Sequence, residues 1–156
     1  MSTSEAGVVL IVEDFEDDAK LLEMLLTNAG IANPVRTVLS AEQGIAYLLG
    51  GPPYWDRTRY PLPSVIFLDL KLPGIDGFEF LRWLRANPQL QGSFIVVLSA
   101  TGELASVQAA YALGANSFLV KPCREADLLN LVTCYPNLWT RLPPPGLPTP
   151  PEARTG

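Results

Sequence analysis

Residues 65–77 read Val-Ile-Phe-Leu-Asp-Leu-Lys-Leu-Pro-Gly-Ile-Asp-Gly. Four consecutive apolar residues, mostly β-branched or aromatic, are typical of a central strand that is buried on both faces. The strand ends at Asp69, and the turn pairs Pro73-Gly74 and Asp76-Gly77 follow it. Ligands of open α/β sheets bind beyond the carboxyl ends of the strands, so Asp69 is a candidate functional residue. Taken alone, the stretch fits a solvated loop acid equally well.

A second continuous apolar run covers residues 8–12 and ends in the acid pair Glu13-Asp14. The next segment predicts a helix over residues 16–29, because its apolar residues recur at helical spacing and acids occupy its first turn. Gly30 suits the end of this helix. A buried strand that ends in acids therefore occurs twice in the chain.

The rest of the chain alternates between strand and helix patterns. Strands are predicted over residues 34–39, 94–98 and 117–120, and helices over 41–49 with Ser40 as N-cap, 77–86, 104–113 and 124 to about 135. In the helix over 77–86, the residues at helical spacing are Phe78, Leu81, Leu84 and Arg85. Five strands alternating with five helices predict an α/β fold with a doubly wound, five-stranded parallel sheet, because each parallel connection needs a helical crossover.

Three segments fall outside this alternation. Gly50 to Pro63 contains four prolines and three aromatic residues, which predicts an irregular loop whose aromatics cover the sheet edge. The chain is expected to consist of a flexible start (1–7), one domain (8–140) and a disordered proline-rich tail (141–156).

Composition narrows the class of protein. The chain has 156 residues, of which 48% are hydrophobic, enough for one domain with a sizeable core. The net charge of -5 and a pI near 4.6 argue against binding nucleic acid or an anionic membrane surface. There is no membrane-length apolar stretch and no signal peptide, so a cytoplasmic location is expected. Cys123 and Cys134 lack metal-ligand spacing and are expected to be reduced thiols, with a regulatory disulfide as the lesser alternative.

The residue types available also limit the chemistry. The sequence contains no histidine, which excludes Ser-His-Asp and Cys-His catalysis. The strand ends carry Glu13-Asp14, Asp69, Ser99 and Lys121, and in a parallel sheet all of these lie at one edge. Each has an ordinary explanation by itself, as a helix-start acid, a turn residue or a solvated charge. Together they predict one functional site.

Three carboxylates in one pocket should attract a cation. At 4 Å and an effective dielectric near 20, each pair repels by up to about 4 kcal/mol. A hard divalent ion with oxygen ligands relieves that repulsion, and Mg²⁺ is the natural occupant.

The residues at the strand ends, namely Glu13-Asp14, Asp69, Ser99 and Lys121, match the pattern of another class of protein. With them, residues 8 to about 135 resemble the receiver domain of two-component response regulators. The resemblance implies the strand order 2-1-3-4-5 and a phosphoryl group accepted by Asp69. It also implies that Glu13, Asp14 and Asp69 hold Mg²⁺ together with the backbone carbonyl of Lys71. Because the domain would catalyse only its own phosphorylation and dephosphorylation, it would not be an enzyme acting on other substrates.

Three further roles concern the phosphorylated state. Lys121 and Ser99 would stabilise the phosphoryl group, and the resemblance implies that Phe118 turns into the space that Ser99 vacates. Phe118 could equally be an ordinary inward strand residue. Lys71 and Thr101, each two residues past a site residue, are the nearest side chains that can orient or block the hydrolytic water, so they are expected to set the lifetime.

The resemblance also suggests partners. A sensor histidine kinase would donate the phosphoryl group, and the 50–63 insertion and extended end look similar to small regulators that partner phytochrome-type kinases. Output would pass to an unknown downstream protein through contacts, because no segment after the fifth helix is long enough for a DNA-binding module. A homodimer through helix 4, strand 5 and helix 5 is expected, with exposed apolar area from Val107, Tyr111, Leu138 and Trp139.

Three alternatives use the same fold. A phosphatase of the aspartyl-phosphate type usually has a second Asp two residues after the nucleophile, but position 71 is Lys. A flavin-binding module needs a phosphate-cradling loop after the first strand, where acids at positions 13, 14 and 16–18 would repel a phosphate. A scaffold that keeps the fold and is never phosphorylated stays open.

Overall fold

A computed structural model describes residues 7–142 of the chain. Five strands form one parallel sheet in the order β2-β1-β3-β4-β5, as predicted. The strands are β1 (Val8–Val12), β2 (Val35–Val38), β3 (Pro63–Asp69), β4 (Phe94–Ser99) and β5 (Ser117–Val120). Because β1, β3 and β4 are central, their apolar runs are buried on both faces.

The helices alternate with the strands, which confirms the doubly wound α/β architecture. They are α1 (Glu16–Asn28), α2 (Ala41–Leu49), α3 (Gly77–Ala86), α4 (Leu104–Ala112) and α5 (Glu125–Cys134), with 3₁₀ turns at Pro88–Leu90 and Pro136–Leu138. No helix in the described part of the chain is long and apolar enough to span a membrane.

Ser40 acts as the predicted N-cap of α2, and α3 has a cap that the sequence analysis did not predict. The Ser40 side chain accepts a hydrogen bond from the Gln43 amide at the start of α2. At the start of α3, Asp76 and Glu79 form a reciprocal capping box, in which each side chain accepts from the other residue's backbone amide. This capping fixes the point where the chain turns from β3 into α3, directly behind Asp69.

The sheet separates two apolar cores, and side chains alternate between them along each strand. One core lies under α2, α3 and α4 and includes Leu10, Leu68 and Val97. The other lies under α1 and α5 and includes Ile11 and Phe67. At the end of each strand, the same alternation determines which of the two cores a side chain faces.

The structure adds detail to the predicted α3 and corrects one bound of the sequence prediction. In α3 the buried residues include Phe80, Leu81 and Leu84, while Phe78 and Arg85 are only half-buried. Arg85 turns to the α4–β5 loop, where its guanidinium donates to the Gly114 carbonyl and to Asn116. The predicted loop is one residue too long, because Pro63 already begins β3.

The segment 50–62 contains no helix or strand, yet its two tyrosines are packed, while Trp55 is exposed. Tyr54 and Tyr60 contact Tyr47 of α2 with ring centroids 5.0 and 6.0 Å away. Arg57 ties the segment down by donating to the carbonyls of Tyr47, Leu48 and Tyr60. Tyr60 also lies under Arg36 of the edge strand β2, as expected for a cover of the sheet edge.

The segment 136–142 folds back onto the domain, contrary to the expected exposure of Leu138 and Trp139. Trp139 is 7% exposed and packs against Phe67, and Leu138 is half-buried. Arg141 and Leu142, predicted to belong to the tail, pair with the loop after α1, where the Leu142 amide donates to the Gly30 carbonyl. The apolar area that the Trp139 indole buries favours packing of this segment on the domain over exposure to solvent. Residues 1–6 and 143–156, which hold the predicted flexible start and most of the tail, lie outside the described residues.

Trp139→Ala should lower the free energy of unfolding by about 3 to 5 kcal/mol, because a buried indole is replaced by a cavity. Urea unfolding followed by circular dichroism measures the change. Trp55→Ala is the matched control, since Trp55 is 70% exposed and its loss should cost less than about 0.5 kcal/mol. Equal midpoints for the two variants would contradict the role given to Trp139.

Candidate functional site

Three charged side chains continue the strand alternation toward the core under α1 and α5. Glu13 follows Val9 and Ile11, Asp69 follows Val65 and Phe67, and Lys121 follows Leu119. The Lys121 amide extends the sheet ladder by donating to the Ser99 carbonyl at 2.7 Å. These charges therefore meet on one face, at the carboxyl edge of the sheet.

The Lys121 ammonium lies between three carboxylates. Its Nζ is 2.8 Å from Glu13 Oε1, 2.9 Å from Asp18 Oδ2 and 3.4 Å from Asp69 Oδ2. Burial disfavours the charged amine, but hydrogen bonds to Glu13 and Asp18 and the charge of Asp69 outweigh it, so the pKa of Lys121 is raised. The ammonium is therefore charged at any physiological pH.

Glu13 is almost completely buried, and both of its oxygens are engaged. Oε1 accepts from Lys121, and Oε2 accepts from the Phe15 amide at 3.1 Å. Burial and the nearby charge of Asp69 raise the pKa of Glu13 to about 7, against the lowering effect of these two hydrogen bonds. An added cation near Glu13 would favour its ionised form.

Asp69 is 4% exposed and is held from two sides. Its Oδ1 accepts from the Lys71 amide at 3.1 Å, and its Oδ2 faces Lys121. Gly77 lies so close to the backbone of Asp69 and Leu70 that any side chain at position 77 would collide with that backbone. The glycine therefore lets α3 begin close against the end of β3.

Glu13, Asp14 and Asp69 form a group that suits a metal ion. One carboxylate oxygen from each lies within 4.8 Å of the others, and Asp14 is exposed while the other two are buried. Hard oxygen ligands of this kind suit Mg²⁺ or Mn²⁺. The site therefore has room and charge for a divalent cation with access from solvent.

Ser99 and Phe118 lie toward the opposite core. Ser99 continues the alternation of Ile95 and Val97, and Phe118 pairs in register with Val97. Ser99 is buried, and its Oγ accepts from the Thr101 amide at 3.2 Å. The half-buried Phe118 packs against the core under α2, α3 and α4. These two predicted switch residues thus share one side of the sheet, offset by two residues along neighbouring strands.

The two predicted lifetime residues lie in the loops that flank the edge. The Lys71 side chain is exposed, and Thr101 is half-buried with its Oγ1 accepting from the Glu103 amide at 3.2 Å. Asp18 is a contact that the sequence prediction missed. Its position in the first turn of α1 predicted only a helix-start acid, although position 18 lies one turn before the buried Leu22.

The sheet order and the acid-lined edge define a doubly wound α/β domain with a candidate cation site at its strand ends. A family model described as the response regulator receiver domain matches residues 9–133, and the chain belongs to that family. Receiver domains act in two-component signalling, where an aspartate is phosphorylated and Mg²⁺ or Mn²⁺ binds at an acidic cluster.

Similar proteins belong to the same class. Response regulator Rcp1 of Synechocystis sp. is 31% identical over 132 residues, which is 85% of this chain and 88% of Rcp1. Its Mn²⁺-bound crystal structure has a TM-score of 0.68, with 82% of this chain and 90% of that chain covered. Response regulator RPA3017 in red light signalling of R. palustris has a TM-score of 0.76 and 29% identity, covering 88% of this chain and 99% of that chain. The phosphorylated cyanobacterial phytochrome response regulator RcpA is 29% identical with a TM-score of 0.70, covering 87% and 94%.

Proposed function

We propose that Asp69 accepts a phosphoryl group from a partner histidine kinase and that the phosphorylated domain signals through protein contacts. The observation that carries this proposal is the buried Asp69 carboxylate, 3.4 Å from the Lys121 ammonium and within one acidic group with Glu13 and Asp14. Family membership supports the reaction class.

Asp69 is the nucleophile of the proposed reaction. A carboxylate oxygen of Asp69 attacks phosphorus in line with the leaving group, the bond to the donor breaks, and an acyl phosphate forms. Lys121 donates to the transferred phosphoryl oxygens, because its ammonium already faces Asp69. Ser99 would release the Thr101 amide and donate its hydroxyl to the phosphoryl group.

The acidic group would hold the metal. Glu13, Asp14 and Asp69 would supply carboxylate oxygens, and the resemblance to receiver domains implies the Lys71 carbonyl as a further ligand. Bound Mg²⁺ supplies positive charge that offsets the charge of the transferring phosphoryl group. The movement of Ser99 leaves space on the side that Phe118 shares, which supports a Ser99–Phe118 switch.

The partner is proposed to be a phytochrome-type kinase. RPA3017 is a response regulator in red light signalling, and RcpA is a phytochrome response regulator. A scaffold that is never phosphorylated is the competing function, and the experiment on Asp69 separates the two.

With a small-molecule phosphodonor and Mg²⁺, the wild-type chain should gain the mass of one phosphoryl group, measured by intact mass spectrometry. Asp69→Asn should remove the gain, because an amide is not a nucleophile for phosphorus. Asp56→Asn is the matched control, since Asp56 lies in the 50–62 segment and should leave the gain intact. A persistent gain in Asp69→Asn would reject the site, and no gain in the wild type would favour the scaffold.

Asp14→Ala should weaken Mg²⁺ binding by about tenfold or more, because the cation loses a charged ligand. Titration of intrinsic tryptophan fluorescence or isothermal calorimetry measures the affinity. Asp17→Ala removes an exposed acid of the same region that lies outside the acidic group, and it should bind Mg²⁺ like the wild type. Equal affinities for the two variants would count against Asp14 as a ligand.

We propose a homodimer through α4, β5 and α5. Ala110 is the buried residue of α4, whereas Leu104, Tyr111 and Val120 on this surface are 69%, 46% and 44% exposed and Val107 is half-buried. An apolar helix with one inward residue leaves area that a second copy can cover. Trp139 does not contribute to this area, since it is buried in its own domain.

Tyr111→Glu should therefore convert a dimer into a monomer, because it places a charge in an apolar contact. Sedimentation equilibrium with and without phosphorylation measures the state. Met24→Glu places the same charge on α1, where Met24 is 53% exposed, and should leave the dimer intact. A wild-type monomer at high concentration in both states would sink the proposal.

Wild-type phosphorylated protein should decay about tenfold more slowly than the double variant Lys71→Asn/Thr101→Glu. Carboxylate and carboxamide groups can accept a hydrogen bond from the attacking water, whereas a lysine ammonium has donors only. Decay is followed by intact mass or Phos-tag mobility. Lys20→Asn, an exposed change on α1, should decay like the wild type. Equal or faster decay in the wild type would show that positions 71 and 101 do not control the water.

A further inference from the structure

Asp18 is not among the carboxylates that suit the metal, yet it bonds the lysine of the site. Its Oδ2 is 2.9 Å from Lys121 Nζ, a contact between residues at opposite ends of the domain sequence. Of the three acids in the first turn of α1, Glu16 and Asp17 are exposed, and only Asp18 makes an ion pair within the described residues. A helix-start acid needs no partner, so this contact calls for a separate explanation.

The ammonium of Lys121 has three protons to donate. Three carboxylate oxygens surround it, and the two shorter contacts go to Glu13 and Asp18, whereas the contact to Asp69 is the longest at 3.4 Å. A phosphoryl group on Asp69 needs a donor from the same ammonium. Asp18 and the phosphoryl oxygens therefore compete for one cation.

The environments of the two short contacts differ. The Glu13 side chain is 2% exposed, so removing it from Lys121 would leave a buried charge unpaired. The Asp18 side chain is 34% exposed, so water can replace the ammonium as its partner. The bond to Asp18 is thus the one that Lys121 can give up at low cost.

We infer that Asp18 is a positioning residue that holds Lys121 back from Asp69 in the unphosphorylated state and so slows phosphoryl transfer. The inference rests on the proposed function, because it concerns the rate of reaction at Asp69. Removing the Asp18 charge frees one ammonium proton for the phosphoryl oxygens.

Asp18→Asn should speed phosphorylation by a small-molecule donor about twofold to fivefold, the effect expected from a partly exposed ion pair. Asp17→Asn is the matched control, because it removes the same charge from the same helix turn without touching Lys121, and its rate should equal the wild-type rate. Asp18→Glu restores the charge and should return the rate toward that of the wild type. Rates are measured by intact mass at fixed Mg²⁺.

A second readout does not depend on phosphorylation. The chain has three lysines, of which Lys20 and Lys71 are exposed and Lys121 is half-buried. The ¹⁵N resonance of the Lys121 ammonium, identified by its loss in Lys121→Arg, should shift in Asp18→Asn and stay in place in Asp17→Asn. A purely helix-stabilising role for Asp18 would move neither this resonance nor the rate relative to Asp17→Asn.

The outcomes separate the two proposals. If the wild type is phosphorylated and Asp18→Asn matches Asp17→Asn, or reacts more slowly than the wild type, the role of Asp18 is overturned alone. If the Lys121 resonance is unchanged in Asp18→Asn, the contact itself is rejected. If the wild type takes no phosphoryl group, the proposed function and the role of Asp18 both fail.

Discussion

The ion pairing of Lys121 is the constraint on which the rest of the site depends. Glu13 and Asp69 are almost fully buried, and a buried carboxylate is stable only with a partner charge and hydrogen bonds. Lys121 supplies that charge from the end of β5, two strands away from β3. The register of the parallel sheet must therefore be correct before the site is electrostatically tolerable, so the fold and the site stabilise each other.

At the carboxyl edge of the sheet, the charged residues and the predicted switch residues lie on opposite faces. The charged groups Glu13, Asp69 and Lys121 continue the alternation toward α1 and α5. Ser99 and Phe118 continue it toward α2, α3 and α4. In the proposed switch, a change in charge at Asp69 on β3 would reach Phe118 on β5 through Ser99 on β4.

Sequence patterns predicted the order of elements because the three central strands contain unbroken apolar runs and apolar residues recur at helical spacing between the strands. Ser40 was predicted as an N-cap and caps α2, whereas Asp76, which caps α3, was predicted only as a turn residue. The convergence of Glu13, Asp14, Asp69 and Lys121 followed from topology alone, since parallel strands end at one edge. Contacts that depend on tertiary packing could not be predicted from the sequence. Asp18 looked like any helix-start acid, and Trp139 looked exposed because nothing local shows that the chain turns back onto Phe67.

The side-chain amide of Asn33 joins the two ends of the described chain. Its Nδ2 donates to the carbonyls of both Gly7 and Leu138, and its Oδ1 accepts from the Thr140 amide. Gly7 immediately precedes β1, so these bonds lie at the amino edge of the sheet, opposite the charged edge. The domain is therefore a natural candidate for circular permutation. Fusion partners attached at either end of the described chain would emerge together, on the side remote from Asp69.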